Sequence, residues 1–154
     1  MKRLSGAYDA WWESLKPTFG QCVRVGLGSD AENPARLMSH DWLVEDQKDS
    51  AWHQVHVTRN LPASGPWAVQ IVKDGRYRFD LYRWPKHLNK PAQCSRARIK
   101  IGHVEARKDL QLTDACARFE LDLKAGPAML QSWMTTGQGR EFGAYFVWVE
   151  RLKD

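Results

Sequence analysis

Residues 65–85 read GPWAVQIVKDGRYRFDLYRWP, and this stretch decides the fold class. Trp67, Val69 and Ile71 alternate into Asp74-Gly75, and Tyr77, Phe79 and Leu81 alternate out of it. A two-residue apolar period is that of a half-buried strand, and Asp-Gly is a favoured pair for a tight turn. The stretch is therefore expected to form a β-hairpin with Tyr77, Phe79 and Leu81 facing the core. The same parity sends Arg76, Arg78, Asp80, Tyr82 and Trp84 to the other face.

Similar patterns lie on both sides. In QCVRVGLG (21–28), Val23, Val25 and Leu27 share a side, and ARLMSHDWL (35–43) and AWHQVHVTR (51–59) read as further strands. ARIKIG (97–102) turns Ala97, Ile99 and Ile101 inward and Arg96, Arg98 and Lys100 outward. ARFELDLKAG (117–126) does the same with Ala117, Phe119, Leu121 and Leu123 and ends at a turn near Gly126-Pro127. AMLQSWMTT (128–136) is a further strand. GAYFVWVERL (143–152) is apolar on both faces and so is expected to be covered on both. Leu4, Ala7, Tyr8, Trp11, Trp12 and Leu15 make one wide helical stripe, which Pro17 ends. That helix is the natural cover for the last strand.

Many short strands plus one terminal helix predict a mostly β protein, a two-sheet antiparallel β-sandwich of the jelly-roll or galactose-binding type. The expected organisation is one domain over 1–154, with a helix over 4–16 packed on the sandwich. SDAENP (29–34) and VEDQKDS (44–50) are the expected mobile loops.

The chain has 154 residues, 43% hydrophobic and 27% charged, which excludes wholesale disorder. A net charge of +5 favours anionic partners at long range, whether acidic glycans, nucleic acid or an acidic protein surface. Cys22, Cys94 and Cys116 are odd in number and contain no C-x-x-C, so buried free thiols are expected rather than a disulfide framework or a zinc knuckle. The N-terminal MKRLSGAYDAWWESLK has no apolar h-region, and no run reaches transmembrane length. By itself the chain reads as cytoplasmic. As part of a longer exported protein its compartment stays open.

No motif requires an enzyme. Cys94 opens CSRAR, one residue away from the C-x-P-x-R pattern of formylglycine formation, with Arg96 at the proline position. His53 and His56, three apart in an expected strand, diverge to opposite faces and make no metal pair. His40-Asp41 is a remote hydrolase possibility, because adjacent strand residues also diverge. GQGREFG (137–143) lacks the strand-before, helix-after setting of a phosphate loop. Neither cofactor nor metal is expected.

Taken in order, YDAWWESLKPTFG, NPARLMSHDW, the 65–85 stretch, ARIKIG, FELDLKAGPAMLQSWM and GAYFVWVERL resemble the C-terminal accessory region of bacterial arylsulfatase-like enzymes of the planctomycete type. The resemblance runs from about Tyr8 to Leu152. It is carried by SHDW, by W-x-V-x-I-V-x-D-G-x-Y-x-F-x-L-x-R-W-P and by L-x-A-G. It implies an accessory β-sandwich without its enzyme. The family's formylglycine motif, calcium-binding acids and sulfate-binding basic residues belong to the core domain, and none maps here. G-x-Y-x-F-x-L followed by L-x-A-G is also similar to galactose-binding-type sandwiches, which include carbohydrate-binding modules.

The expected site is the outward row. If the strands bearing Arg76 and Arg78 and those bearing Arg96, Arg98 and Lys100 lie in one sheet, that sheet presents five basic residues beside Tyr82 and Trp84. Aromatic rings stack on a pyranose, and arginine forks pair with sulfate or carboxylate. Single-stranded nucleic acid suits the same mixture but is the weaker partner. The plainer reading is that Tyr82 and Trp84 pack while the arginines are merely solvated. Trp42, Trp52 and Trp133 are secondary candidates, and Trp11, Trp12, Trp67 and Trp148 are assigned to packing. The expected function is a non-catalytic module for anionic or sulfated glycans. The alternative is a protein-interaction or assembly module, through a protein partner or a homodimer, or an orphan domain with no small-molecule ligand.

Overall fold

The structure, a computed structural model, describes residues 2–44 and 50–153. In chain order it runs α1 (Lys2–Leu15), β1 (Val25–Leu27), β2 (Ala35–Met38), α2 (Gln54–Thr58), β3 (Trp67–Ile71), β4 (Gly75–Tyr82), β5 (Cys94–Ile101), β6 (Val104–Asp109), β7 (Cys116–Leu123), β8 (Gly126–Thr136), β9 (Glu141–Phe142) and β10 (Phe146–Arg151). One sheet has the order β1-β3-β8-β5-β6, with β9 also on β8, and the other has β2-β10-β4-β7. Every pairing is antiparallel except β1 on β3. The protein is a two-sheet β-sandwich with an N-terminal helix, as the strand patterns predict. Most of the expected loop at 44–50 lies outside the described residues.

The inward sets are the expected ones, except that Leu121 of β7 is only half-buried. Tyr77, Phe79 and Leu81 of β4, Ala97, Ile99 and Ile101 of β5, and Ala117, Phe119 and Leu123 of β7 are buried. Trp67 of β3 is buried between the sheets, and its indole N–H donates to the Met38 carbonyl at 2.8 Å. Trp42 meets it edge-on at 5.8 Å.

The 65–85 stretch is not a hairpin. β3 pairs with β1 and β8, whereas β4 pairs with β10 and β7, so residues 72–74 carry the chain from one sheet to the other. Alternation specifies the face that a strand buries, and both strands bury theirs in the same core from opposite sides. Asp74 serves this corner rather than a hairpin turn. Its carboxylate accepts from the Ala125 N–H at 2.7 Å and from Lys124 Nζ at 2.8 Å. Residues 124–125 link β7 to β8 and also switch sheets, so Asp74 ties two crossovers together.

Within residues 51–59 the structure has the short helix α2, Gln54–Thr58, rather than a strand. His53 caps α2 by accepting from the Val55 N–H at 3.1 Å, and His56 Nδ1 accepts from the His53 N–H at 3.3 Å. These side-chain bonds satisfy first-turn donors that a strand would have placed in a ladder. Of the helix residues only Val57 is buried.

Two further expectations fail. Val23 is 93% exposed, because β1 begins only at Val25. Helix α1 does not cover β10: Leu4 is 78% exposed, and Tyr8, Trp11 and Trp12 are also exposed, so Trp11 and Trp12 are not packing residues. Their contacts are with each other and with Phe19, which meets Trp12 at 5.2 Å. No helix among the described residues is long and apolar enough to cross a membrane.

Of the three cysteines, Cys94 is buried, Cys116 half-buried and Cys22 exposed. Burial pushes the Cys94 thiol up to about 11 from an ordinary 9.0. Burial likewise raises the phenols of Tyr77, Tyr82 and Tyr145. Folding thus favours the neutral form of each group. The corresponding stability is fully present below the unfolded-state values and is lost as pH rises through the folded ones. Urea midpoints are expected to hold up to about pH 9 and to fall progressively toward pH 11. A midpoint unchanged at pH 11 would contradict this. In the native state at pH 8, iodoacetamide should label Cys22 and spare Cys94.

Candidate functional site

The expected row of basic and aromatic side chains does not assemble. Arg76 and Arg78 lie on β4, while Arg96, Arg98 and Lys100 lie on β5 in the other sheet, so the two sets face outward on opposite sides of the sandwich. Parity fixed which way each strand points but not which sheet holds it. Most of the cations are also engaged. Arg76 pairs with Glu120 at 2.9 Å, Arg78 with Glu150, and Arg96 with Asp109 at 3.1 Å. Arg98 lies 3.6 Å over the Trp133 ring and 3.8 Å from Glu105. Lys100 borders a shallow hollow with Arg24 and Gln131.

Neither expected aromatic is free. Tyr82 is buried, paired across the strands with Phe146 and Cys116. Trp84 is half-buried, with its N–H on the Pro91 carbonyl at 3.2 Å and the Arg83 guanidinium 4.5 Å above its ring. The double variant Arg76→Ala/Arg78→Ala should change stability by no more than about 1 kcal/mol, because these ion pairs are solvent-exposed or partly so. A thermal-unfolding loss well beyond that would show the pairs to be structural.

A concave surface lies instead at the β2–β10 side of the second sheet. The register puts Met38, Phe146 and Tyr82 in one cross-strand row and Arg36, Trp148 and Asp80 in the next, all facing outward. Two cavities of about 380 and 620 Å³ share Met38, Pro85 and Phe146, and so form one groove. Trp52, Trp84 and Leu88 line its apolar end, with His40, His53 and Lys90 beside them. Arg36, Lys86 and Trp148 line the other end. Lys86 Nζ sits 4.4 Å and the Arg36 guanidinium 5.1 Å from the Trp148 ring. These cations, not α1, lie over Trp148 on the outer face of β10, and Trp148 belongs to the groove as well as to packing.

Local structure holds Trp52 in place. The turn at Ser39–Asp41 is closed by the Asp41 carboxylate, which accepts from the Met38 N–H at 3.4 Å. Ser39 Oγ donates to the Ala51 carbonyl at 2.5 Å and anchors the residue before Trp52. Trp52 is 57% exposed, and the His53 and His56 rings stand edge-on to it at 5.7 and 5.4 Å. The two histidine rings are 5.9 Å apart. The helix, unlike the expected strand, brings them together, but each Nδ1 already accepts a backbone N–H. That pattern leaves Nε2–H as the remaining donor of each neutral ring. Asp41 is spent on its turn. Among the described residues no group of three or more His, Cys, Asp or Glu could hold a metal ion.

The sandwich has a solved counterpart. No family model matches the chain, and no curated protein matches it. Among solved structures it is similar to a ruminal GH26 endo-β-1,4-mannanase, with a TM-score of 0.50 and 16% identity over 80% of this chain and 27% of that one. A complex of the plant peptide RALF23 with FER and LLG2 matches with a TM-score of 0.39 and 14% identity, over 88% of this chain and 36% of that one. The chain thus spans well under half of either solved chain, and the likeness to the mannanase chain, at 16% identity, concerns the fold alone.

Sequence reasoning held Trp52 as a secondary candidate and missed Arg36, Lys86 and Phe146. The available signals were the WHQVH capping pattern, which argues against a strand, and the basic segment KHLNK directly after Trp84-Pro85. Their convergence depends on the β2–β10–β4 order, which no local pattern states.

Proposed function

We propose that this chain is a non-catalytic glycan-binding module whose ligand lies in the groove between Trp52 and Trp148. The observation that carries the reading is an exposed tryptophan at one end of a concave surface, with cations held against a second tryptophan at the other. The Trp52 ring offers an apolar platform for a pyranose face, and the His53 ring N–H and Lys90, which line the groove beside it, can meet ring hydroxyls. Arg36 and Lys86 suit a carboxylate or sulfate on a neighbouring sugar. An origin as the accessory region of a sulfatase-like enzyme fits an acidic ligand. Sharing a fold with part of a mannanase chain is in keeping with a carbohydrate partner.

The test is a glycan array with sulfated and neutral members at low and physiological salt, beside a single-stranded oligonucleotide control. Selective, salt-tolerant glycan binding is expected, and Trp52→Ala should weaken it by at least about tenfold, or 1.4 kcal/mol. Binding that is erased by salt for every polyanion, or unchanged in Trp52→Ala, would defeat the reading.

The exposed face of α1 favours assembly as a second reading. A second copy laid antiparallel along the helix sets Leu4 against Trp12 and Arg3 against Glu13, covering the apolar face and matching charge. Light scattering across a concentration series should then show a dimer that Trp11→Ser abolishes. A monomer at all concentrations would exclude it.

A further inference from the structure

Arg83, immediately after β4, is 5% exposed, although arginine is almost never fully buried without a partner of opposite charge. Its guanidinium lies over the Trp84 ring, and its hydrogen bonds reach only neutral acceptors, all at long range. Nη1 donates to the Ala92 carbonyl at 3.4 Å and to Gln93 Oε1 at 3.3 Å, and Nη2 donates to the Thr58 carbonyl at 3.2 Å. Nε is buried with no hydrogen-bond partner. No carboxylate pairs with Arg83 among the described residues. A buried charge without an opposite charge beside it is among the costlier things a fold can hold.

Arg83 lines a cavity of about 540 Å³ that shares no lining residue with the groove. It is the sole charged residue of that lining. The rest is neutral and rich in amides and hydroxyls: Asn60, Gln93, Thr113, Thr136 and Gln138. Asn60 Oδ1 is a second buried atom without a partner. Asn60 and Gln93 also hold φ of 51° and 58°, the left-handed region, so the backbone at this cavity is held in an uncommon conformation.

We propose that this cavity binds a small hydroxylated monocarboxylate of the uronic acid type, independently of the groove. One cation matches one negative charge, and an anion seated beside Arg83 supplies the missing counter-charge. Amides and hydroxyls are the groups that pair with sugar hydroxyls, and a cavity of this size admits a monosaccharide.

Isothermal titration with D-glucuronate, its uncharged methyl ester, D-glucose and D-glucose 6-sulfate tests the proposal on the full chain. Glucuronate should bind at least about tenfold more tightly than the other three. Arg83→Met should abolish that preference. Leu112→Trp fills the cavity from a position that is 54% exposed, so it should block binding while the fold stays intact, which keeps the test decisive if Arg83→Met folds poorly. Trp52→Ala should leave glucuronate binding unchanged, which separates this site from the groove. No binding up to about 10 mM, equal binding of acid and ester, or unchanged binding in Leu112→Trp would overturn the proposal. A preference for the sulfate would overturn the carboxylate assignment.

Discussion

Trp67→Ala is expected to cost about 4 kcal/mol, a large part of the stability of a domain this size. The indole is fully enclosed between the sheets and sits edge-on to Trp42, so its removal leaves a cavity that rigid strands on both sides cannot close. It also removes the hydrogen bond from a first-sheet side chain to the Met38 carbonyl of the second sheet, leaving that carbonyl short of a donor. Trp67→Phe keeps most of the apolar volume and should cost less, about 2 kcal/mol. Urea unfolding with an unchanged m-value is the appropriate measurement. A loss under about 1 kcal/mol for the alanine variant would mean that the sheets are not held together here. Met38 borders the groove, so glycan affinity should fall together with stability in this variant, whereas in Trp52→Ala it should fall alone.

Gly28→Ala should be nearly as damaging, at about 3 kcal/mol. Gly28 has φ +75°, a conformation that disfavours any Cβ. The added methyl would also lie 2.7 Å from Tyr77 Cε1 and 2.9 Å from Cζ. Tyr77 cannot give way, because its ring is buried and its hydroxyl donates to the Lys73 carbonyl at 2.6 Å. Gly102→Ala separates the two effects. Its φ is +56°, but no atom lies within 4 Å of the new methyl, so only the backbone cost of about 1 kcal/mol should appear. Equal losses in the two variants would place the whole effect in the backbone and none in the contact with Tyr77.

The inward face of each strand was legible from the residues alone. Period-two alternation in 67–71, 77–81, 97–101 and 117–123 states which side chains leave water, and burial follows it except at Ala68 and Asp80, which are buried on the other parity, and Leu121, which is half-buried. The sandwich class follows as well, since strands with one apolar face must stack against another sheet. Partner choice was decided by tertiary structure. Asp74-Gly75 reads as a hairpin turn because local chemistry cannot distinguish a chain that folds back in its own sheet from one that crosses to the opposite sheet. Both bury the same residues in the same core. That ambiguity carried straight into the site: Arg76 and Arg98 each point outward as expected, yet on opposite sides of the molecule. The same holds for α1, whose stripe specifies a helix but not whether anything in this chain covers it. Burial parity is a property of one strand and is written in its residues. A groove, or a buried guanidinium among neutral acceptors such as Arg83, is a property of which strands become neighbours, and only the assembled sheets decide that.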